Sequence, residues 1–240
     1  ADHRDLHLSL RRQRQMCIRD SLCIVYMKNG MTRLLKDIKE RFEQAHEIRK
    51  RSLALHRTLS GRKLGEEIAE TNPGLVLDLG CGSNEFKKIC PNVVGVDVAE
   101  LPEVDFAMSI DQFHKRKLFK ERTADWILCF GPLNYGTGSW IHDIMACMRY
   151  FLADNGTIVC HVNPDNSKLD WTDENIHSYG KQFGFQTTSI QVGHTDIMTM
   201  SMEELDIQQE IAQRSPDIAL ELSRGKDLIR PMLVWRWKHQ

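Results

Sequence analysis

Two carboxylates and two glycines stand where a sheet would present them to a ligand. One acid opens the run Asp78-Leu79-Gly80-Cys81-Gly82-Ser83, which follows Leu75-Val76-Leu77. The other, Asp97, closes the run Val93-Val94-Gly95-Val96. Short continuous apolar runs of this kind read as strands buried on both faces, the pattern of a parallel sheet. Ligands of open parallel sheets bind outside the carboxyl ends of the strands. Glycines at such a tip let the backbone approach a ligand, having no Cβ to collide with it. A carboxylate at the neighbouring tip accepts hydrogen bonds from a ribose diol. The chemistry on offer is therefore the binding of a nucleoside-bearing ligand.

The spacing narrows which one. A dinucleotide fingerprint requires G-x-G-x-x-G, and its third glycine falls on Glu85, whose charge opposes a pyrophosphate. This disfavours NAD and FAD. No G-K-[ST] follows, so the run is not a P-loop. What remains, an acid two residues before G-x-G, resembles motif I of the class I S-adenosylmethionine (SAM)-dependent methyltransferases. The resemblance continues in order. Asp97 matches the ribose-binding acid after the second strand. Phe106-Ala107-Met108-Ser109-Ile110-Asp111 matches the third strand. Ala124-Asp125-Trp126-Ile127-Leu128-Cys129-Phe130 with Gly131-Pro132-Leu133-Asn134-Tyr135 matches motif IV. Arg149 to Thr157 matches the turn leading into a fifth strand, Ile158 to Val162.

The resemblance implies an α/β fold: a Rossmann-like doubly wound sheet of seven strands in the order 3-2-1-4-5-7-6, the last antiparallel. It implies SAM as cofactor, with Asp78 toward the ammonium group and the turn of Gly80, Cys81 and Gly82 toward the carboxylate. Asp97 and Val98 would serve the ribose side, Asp111 the adenine, and Phe130 and Gly131 the region of the fourth strand tip. Ser109 is the alternative to Asp111 if Ile110 takes the apolar slot. Asn84 replaces a glycine of the family pattern, which asparagine tolerates because it also accepts φ > 0. Leu133-Asn134-Tyr135 stands where many relatives carry L-E-H, so Asn134 and Tyr135 are the candidate catalytic residues. His161 and Asp165 are further candidates for contact with the acceptor. His161 reads more readily as a core histidine, and Asp165 as part of the turn at Pro164.

Composition sets the frame. The chain has 240 residues, 41% of them hydrophobic and 27% charged, with a net charge of −1. This is the balance of a globular domain and argues against attachment to nucleic acid through overall charge. Seven cysteines include no C-x-x-C pair. They read as reduced thiols of a cytoplasmic protein, with no metal site expected. No apolar run approaches the roughly 20 residues that span a bilayer.

Residues 1–30 read differently from the rest. Arg4, Arg11, Arg12, Arg14 and Arg19 follow no helical or strand period, and Arg11 to Ser21 resembles translated sequencing-adaptor read-through. The expectation is a non-native or disordered extension with a native start at Met27 or Met31. Residues 31–70 are expected to be N-terminal helices: Leu34, Leu35, Ile38, Phe42, Ala45 and Ile48 recur at helical spacing, and a second helix covers Lys63 to Glu70. Residues 71–240 form the expected cofactor-binding domain. Within it, Glu85 to Cys90 is a short helix before Pro91. Ile141, Ile144, Met145, Met148, Phe151 and Leu152 form the core stripe of another helix, and Trp171 to Gly184 a third. Phe185 to Val192 and Leu233 to Trp237 are the last two strands. The segment between them, Ser201 to Leu222 in particular, is too long for a structureless loop and is expected to be a helical insertion.

The leading functional reading is a SAM-dependent methyltransferase with an unidentified acceptor, a small molecule being mildly favoured. A SAM-fold protein that binds cofactor without catalysis and a nucleotide-dependent oxidoreductase are the alternatives.

Overall fold

The computed structural model describes residues 32–40, 43, 62–136, 138–164, 167–194 and 231–240. The expected extension at residues 1–30 and the expected insertion at Ser201 to Leu222 lie outside them. So does Asp165.

Continuous apolar runs become the central strands. β1 (Val76–Leu79), β2 (Val93–Asp97), β3 (Phe106–Ala107), β4 (Ala124–Phe130) and β5 (Leu152–Val162) pair in parallel. β6 (Phe185–His194) and β7 (Pro231–His239) close the sheet, with β7 antiparallel to both β5 and β6. The order is β3-β2-β1-β4-β5-β7-β6, the expected topology.

Helices cover both faces, which is why these strands are apolar without alternation. Residues 32–40 are helical (α1). Then come α2 (Arg62–Glu70), α3 (Ile110–Arg116), α4 (Pro132–Tyr135), α5 (Gly138–Phe151) and α6 (Asp173–Gln182). Successive side chains of a strand point to opposite faces, and the core divides accordingly. Leu77, Leu79, Ile127, Cys129, Ile158 and Cys160 join the cluster containing Phe113 of α3, the α5 stripe and Ile176 of α6. Val76, Val93, Trp126, Leu128 and Val159 join Leu64 and Ile68 of α2. Trp235 and Trp237 of β7 are fully buried, and Gly180 lets α6 come close: a Cβ there would lie 2.7 Å from Trp237 Nε1.

Two local differences from the sequence expectation have physical causes. The third strand stops at Ala107, because Ser109-Ile110-Asp111-Gln112 starts a helix. The Gln112 side chain accepts the Ser109 N–H at 3.4 Å, half of the reciprocal arrangement that favours Ser-x-x-Gln at helix starts. Asp111 thus sits in the first turn of α3 rather than on a strand. Secondly, β5 begins directly at Leu152, where a turn was expected. Its pairing with β4 shifts register, from Ala124–Leu152 to Trp126–Thr157. Gly156 makes this possible, since a Cβ there would meet the Ala124 carbonyl oxygen at 2.9 Å.

Candidate cofactor and active site

The tips of β1, β2 and β4 converge. After Leu79 the chain turns with Gly80 at φ +82° and Gly82 at φ +52°, while the Gly80 and Cys81 amides donate to the Val96 carbonyl at 2.7 and 3.2 Å. The two glycines serve different ends. A Cβ on Gly80 would lie 2.3 Å from Pro132 Cγ, so this glycine lets the β1 turn seat against the loop after β4. A Cβ on Gly82 would meet nothing within 4 Å, so its face is open. Asn84 takes φ +49°, as the sequence reading allowed.

Asp97 is bound into this turn. Its Oδ2 accepts the Gly82 N–H at 2.9 Å and its Oδ1 the Ala99 N–H at 2.9 Å. Asp78 is 3% exposed, and among the described residues no side chain or amide is bonded to its carboxylate. Burial, followed by the negative charge of Asp97, pushes Asp78 up to about pKa 8. Burial also raises Asp97, against the amides of Ala99, Gly82 and Val98 that favour its ionised form. Two adjacent buried carboxyls with one unpartnered define a site that gains from a cation.

A cleft open to solvent lies beside these tips. Gly80, Asp97 and Val98 line it, as do Phe130, Pro132 and Tyr135 around the β4 tip. Leu35 and Ile38 of α1 also line it, with Met108, Ile110 and Trp140. The structure therefore brings together Gly80, Asp97, Val98, Phe130 and Tyr135 of the sequence-predicted set. Asp78, Cys81, Gly82, Gly131 and Asn134 are not among the lining residues, and neither is Asp111. Its carboxylate instead takes the Ser109 hydroxyl and pairs with Lys115 at 3.0 Å. Partial burial pushes the Asp111 carboxyl up, but Ser109 and Lys115 outweigh it and hold it below its ordinary range.

The loop after β4 is held from both sides. Gly131, at φ +97°, donates its N–H to the His161 carbonyl at 3.1 Å. Asn134 is buried, and its Oδ1 accepts the Asn163 N–H at 3.0 Å, tying this loop to the end of β5. Tyr135 is half-buried at the cleft, and His161 stands edge-on to Phe130 with ring centroids 5.5 Å apart. Trp140 was not singled out in the sequence. Its Nε1 donates to the Pro132 carbonyl at 3.0 Å, and Gly136 leaves room for its ring.

Beyond Asn84 the chain makes only a 3-10 turn, Glu85–Lys88, with Glu85 paired to Lys88. A dinucleotide site instead opens a full helix whose N-terminus meets the pyrophosphate. Among the described residues, no group of three His, Cys, Asp or Glu side chains is placed to hold a metal ion, and no helix is long and apolar enough to cross a membrane.

This fold is that of the class I SAM-dependent methyltransferases. A TehB-like SAM-dependent methyltransferase from Corynebacterium glutamicum superposes with a TM-score of 0.50 at 14% identity, over 81% of this chain and 96% of that one. The 1,6-didemethyltoxoflavin-N1-methyltransferase of Burkholderia thailandensis, solved with S-adenosylhomocysteine, gives 0.49 at 16% identity, over 75% of this chain and 78% of that one. A chain of the complex between the Haloferax volcanii Trm112 methyltransferase activator and a putative methyltransferase gives 0.49 at 13% identity, over 84% and 98%. At such identities the likeness is one of fold. Neither a protein-family model nor a curated protein matches the sequence.

Proposed function

We propose that the protein binds SAM at the tips of β1, β2 and β4 and transfers its methyl group to a small organic acceptor. The observation that carries this reading is the buried Asp78 carboxyl, with no hydrogen-bond partner among the described residues, beside a glycine turn open at Gly82. A ligand with an ammonium group would supply the missing partner. The same ligand's carboxylate would meet the turn at Gly82, and Asp97 keeps lone pairs for a ribose diol beyond the two amides it already accepts. Val98, Met108 and Ile110 offer an apolar slot for the base. Asp111 stands outside the lining of this slot, at the start of α3, bonded to Ser109 and Lys115.

When bound, SAM supplies an electrophilic methyl on a sulfonium, with a neutral thioether as leaving group. The protein's task is then to orient the acceptor, and proximity supplies much of the rate. Phe130, Tyr135 and Trp140 wall the side of the cleft next to the β4 tip, and Leu35 and Ile38 exclude water from above. Asn134 holds the loop in place through Asn163, while Pro132 and Tyr135 of this loop line the cleft. A mostly apolar cleft on a chain of near-neutral charge suits a small acceptor better than a polymer. A cytoplasmic setting agrees with the free Cys81, Cys90, Cys129, Cys147 and Cys160.

The test is transfer of labelled methyl from SAM in the presence of separate pools of small molecules, proteins and RNA. Label appearing in the small-molecule pool supports the reading. Label confined to protein or RNA overturns the acceptor class. Cofactor binding without transfer to any pool would mark a binding protein of the same fold.

A further inference from the structure

The glycine turn has an anchor outside the motif. Asp105 lies in the connection before β3, away from the cleft lining. Its Oδ2 accepts the Gly95 N–H at 2.9 Å and the Asn84 Nδ2 at 3.1 Å, and its Oδ1 pairs with Lys87 of the 3-10 turn. Its own N–H donates to the Gly95 carbonyl at 3.1 Å. One carboxylate thus joins β2, the left-handed residue of the turn and the segment that follows the turn.

Asn84 is the link to the ligand face. It is 1% exposed, and its Nδ2 also donates to the Glu103 carbonyl at 2.8 Å, while its Oδ1 is buried without a donor. The side chain is therefore held through its amide nitrogen alone. Gly95 leaves the room it occupies: a Cβ there would lie 2.6 Å from Asn84 Nδ2 and 2.7 Å from Cys81 Sγ. A left-handed backbone at a residue other than glycine persists when its surroundings hold it. Two residues earlier in the same turn, Gly82 points its N–H at Asp97, and a side chain there would meet open space.

We propose that Asp105 is a positioning residue for the amino-acid end of the cofactor, acting through Asn84 on the turn Gly80–Gly82. This rests on the SAM reading above. It separates two halves of the ligand. The amino-acid end depends on the turn that Asp105 holds. The nucleoside end depends on Asp97 and Val98 at the β2 tip and on Met108 and Ile110, whereas the Asp105 carboxylate meets β2 further back, at Gly95.

The experiment compares S-adenosylhomocysteine with 5′-methylthioadenosine, which has the nucleoside and thioether but no amino-acid end. Binding of each to the wild-type protein, Asp105→Ala and Asp105→Asn is measured by calorimetry well below each variant's unfolding temperature. Asp105→Ala is expected to weaken S-adenosylhomocysteine about tenfold, the loss of one charge-assisted contact, and to leave 5′-methylthioadenosine within about twofold. Asp105→Asn, which keeps one acceptor oxygen and is the variant to read if Asp105→Ala does not fold, is expected to lose less but in the same selective sense. Equal weakening of both ligands, or no change in either, overturns the proposal while leaving the SAM reading standing. Failure of the wild-type protein to bind S-adenosylhomocysteine overturns both.

Discussion

The Gly82 amide donates to Asp97 Oδ2 at 2.9 Å, joining the turn after β1 to the tip of β2 across fifteen residues of sequence. The two sequence features of the cofactor reading are thus one structural unit. Loss of the Asp97 carboxylate should therefore be felt in the turn as well as at the β2 tip.

Asp97→Ala removes the acceptor for Gly82 and Ala99 as well as the proposed ribose contact. Hydrogen bonds to a charged group are worth about 1.5–3 kcal/mol each, so affinity for S-adenosylhomocysteine should fall roughly 100-fold. Calorimetry checks it. An unchanged affinity would show that Asp97 is not the ribose acid.

The two glycines should fail differently. Gly80→Ala places a methyl group against Pro132 at a backbone angle that alanine resists. Overpacking of this kind costs about 1–3 kcal/mol, and the positive φ adds about 1 kcal/mol, so the unfolding midpoint should drop markedly. Gly82→Ala meets no neighbour and carries only the backbone cost. It should keep most of the stability and lose cofactor affinity, because its methyl group occupies the ligand's space. Thermal unfolding and calorimetry on both variants separate the two roles. Equal loss of stability in both would contradict the assignment of Gly82 to the ligand face.

Asp78 makes stability depend on pH in an unusual sense. Its folded-state pKa, about 8, lies above the ordinary 3.8 because burial and then Asp97 disfavour the charge. Between these values the native state holds a proton that the unfolded chain has released. Its contribution to stability is full below about pH 4 and is lost as pH rises through about 8. Asp97 is shifted the same way. Asp105, Asp111 and Glu67 are lowered, so their loss of stability comes on acidification, in a separate window. Unfolding of the ligand-free protein should therefore become easier from pH 5 to pH 8, and this slope should flatten in Asp78→Asn. A ligand carrying an ammonium group favours the ionised carboxylate, so its binding near pH 7 should release protons. Calorimetry in buffers of different ionisation enthalpy measures that release, and a wild-type slope matching Asp78→Asn would contradict the account.

Legibility in the sequence followed burial. β1, β2 and β4 are apolar throughout because both faces are covered, so their runs and the residues at their tips stood out. β3 did not, because it has two residues and sits at the sheet edge. There Ser109 and Gln112, local helix-start chemistry, decided the conformation of Asp111. Gly156 looked like a turn residue and proved to sit within β5, where it allows the register shift against Ala124. The cleft walls contributed by Leu35, Ile38 and Trp140 carried only a helical period, which marks core and ligand wall alike. Asp105 had no local signal at all. Its partners Gly95, Lys87 and Asn84 lie ten, eighteen and twenty-one residues away, and only the folded sheet brings them together.

The central claim is that the tips of β1 and β2 bind SAM rather than a nicotinamide dinucleotide. Calorimetric titration of the wild-type protein with S-adenosylhomocysteine and, separately, with NAD tests it most directly. Saturable one-to-one binding of S-adenosylhomocysteine and none of NAD is the expected result. Binding of NAD with no response to S-adenosylhomocysteine would contradict it.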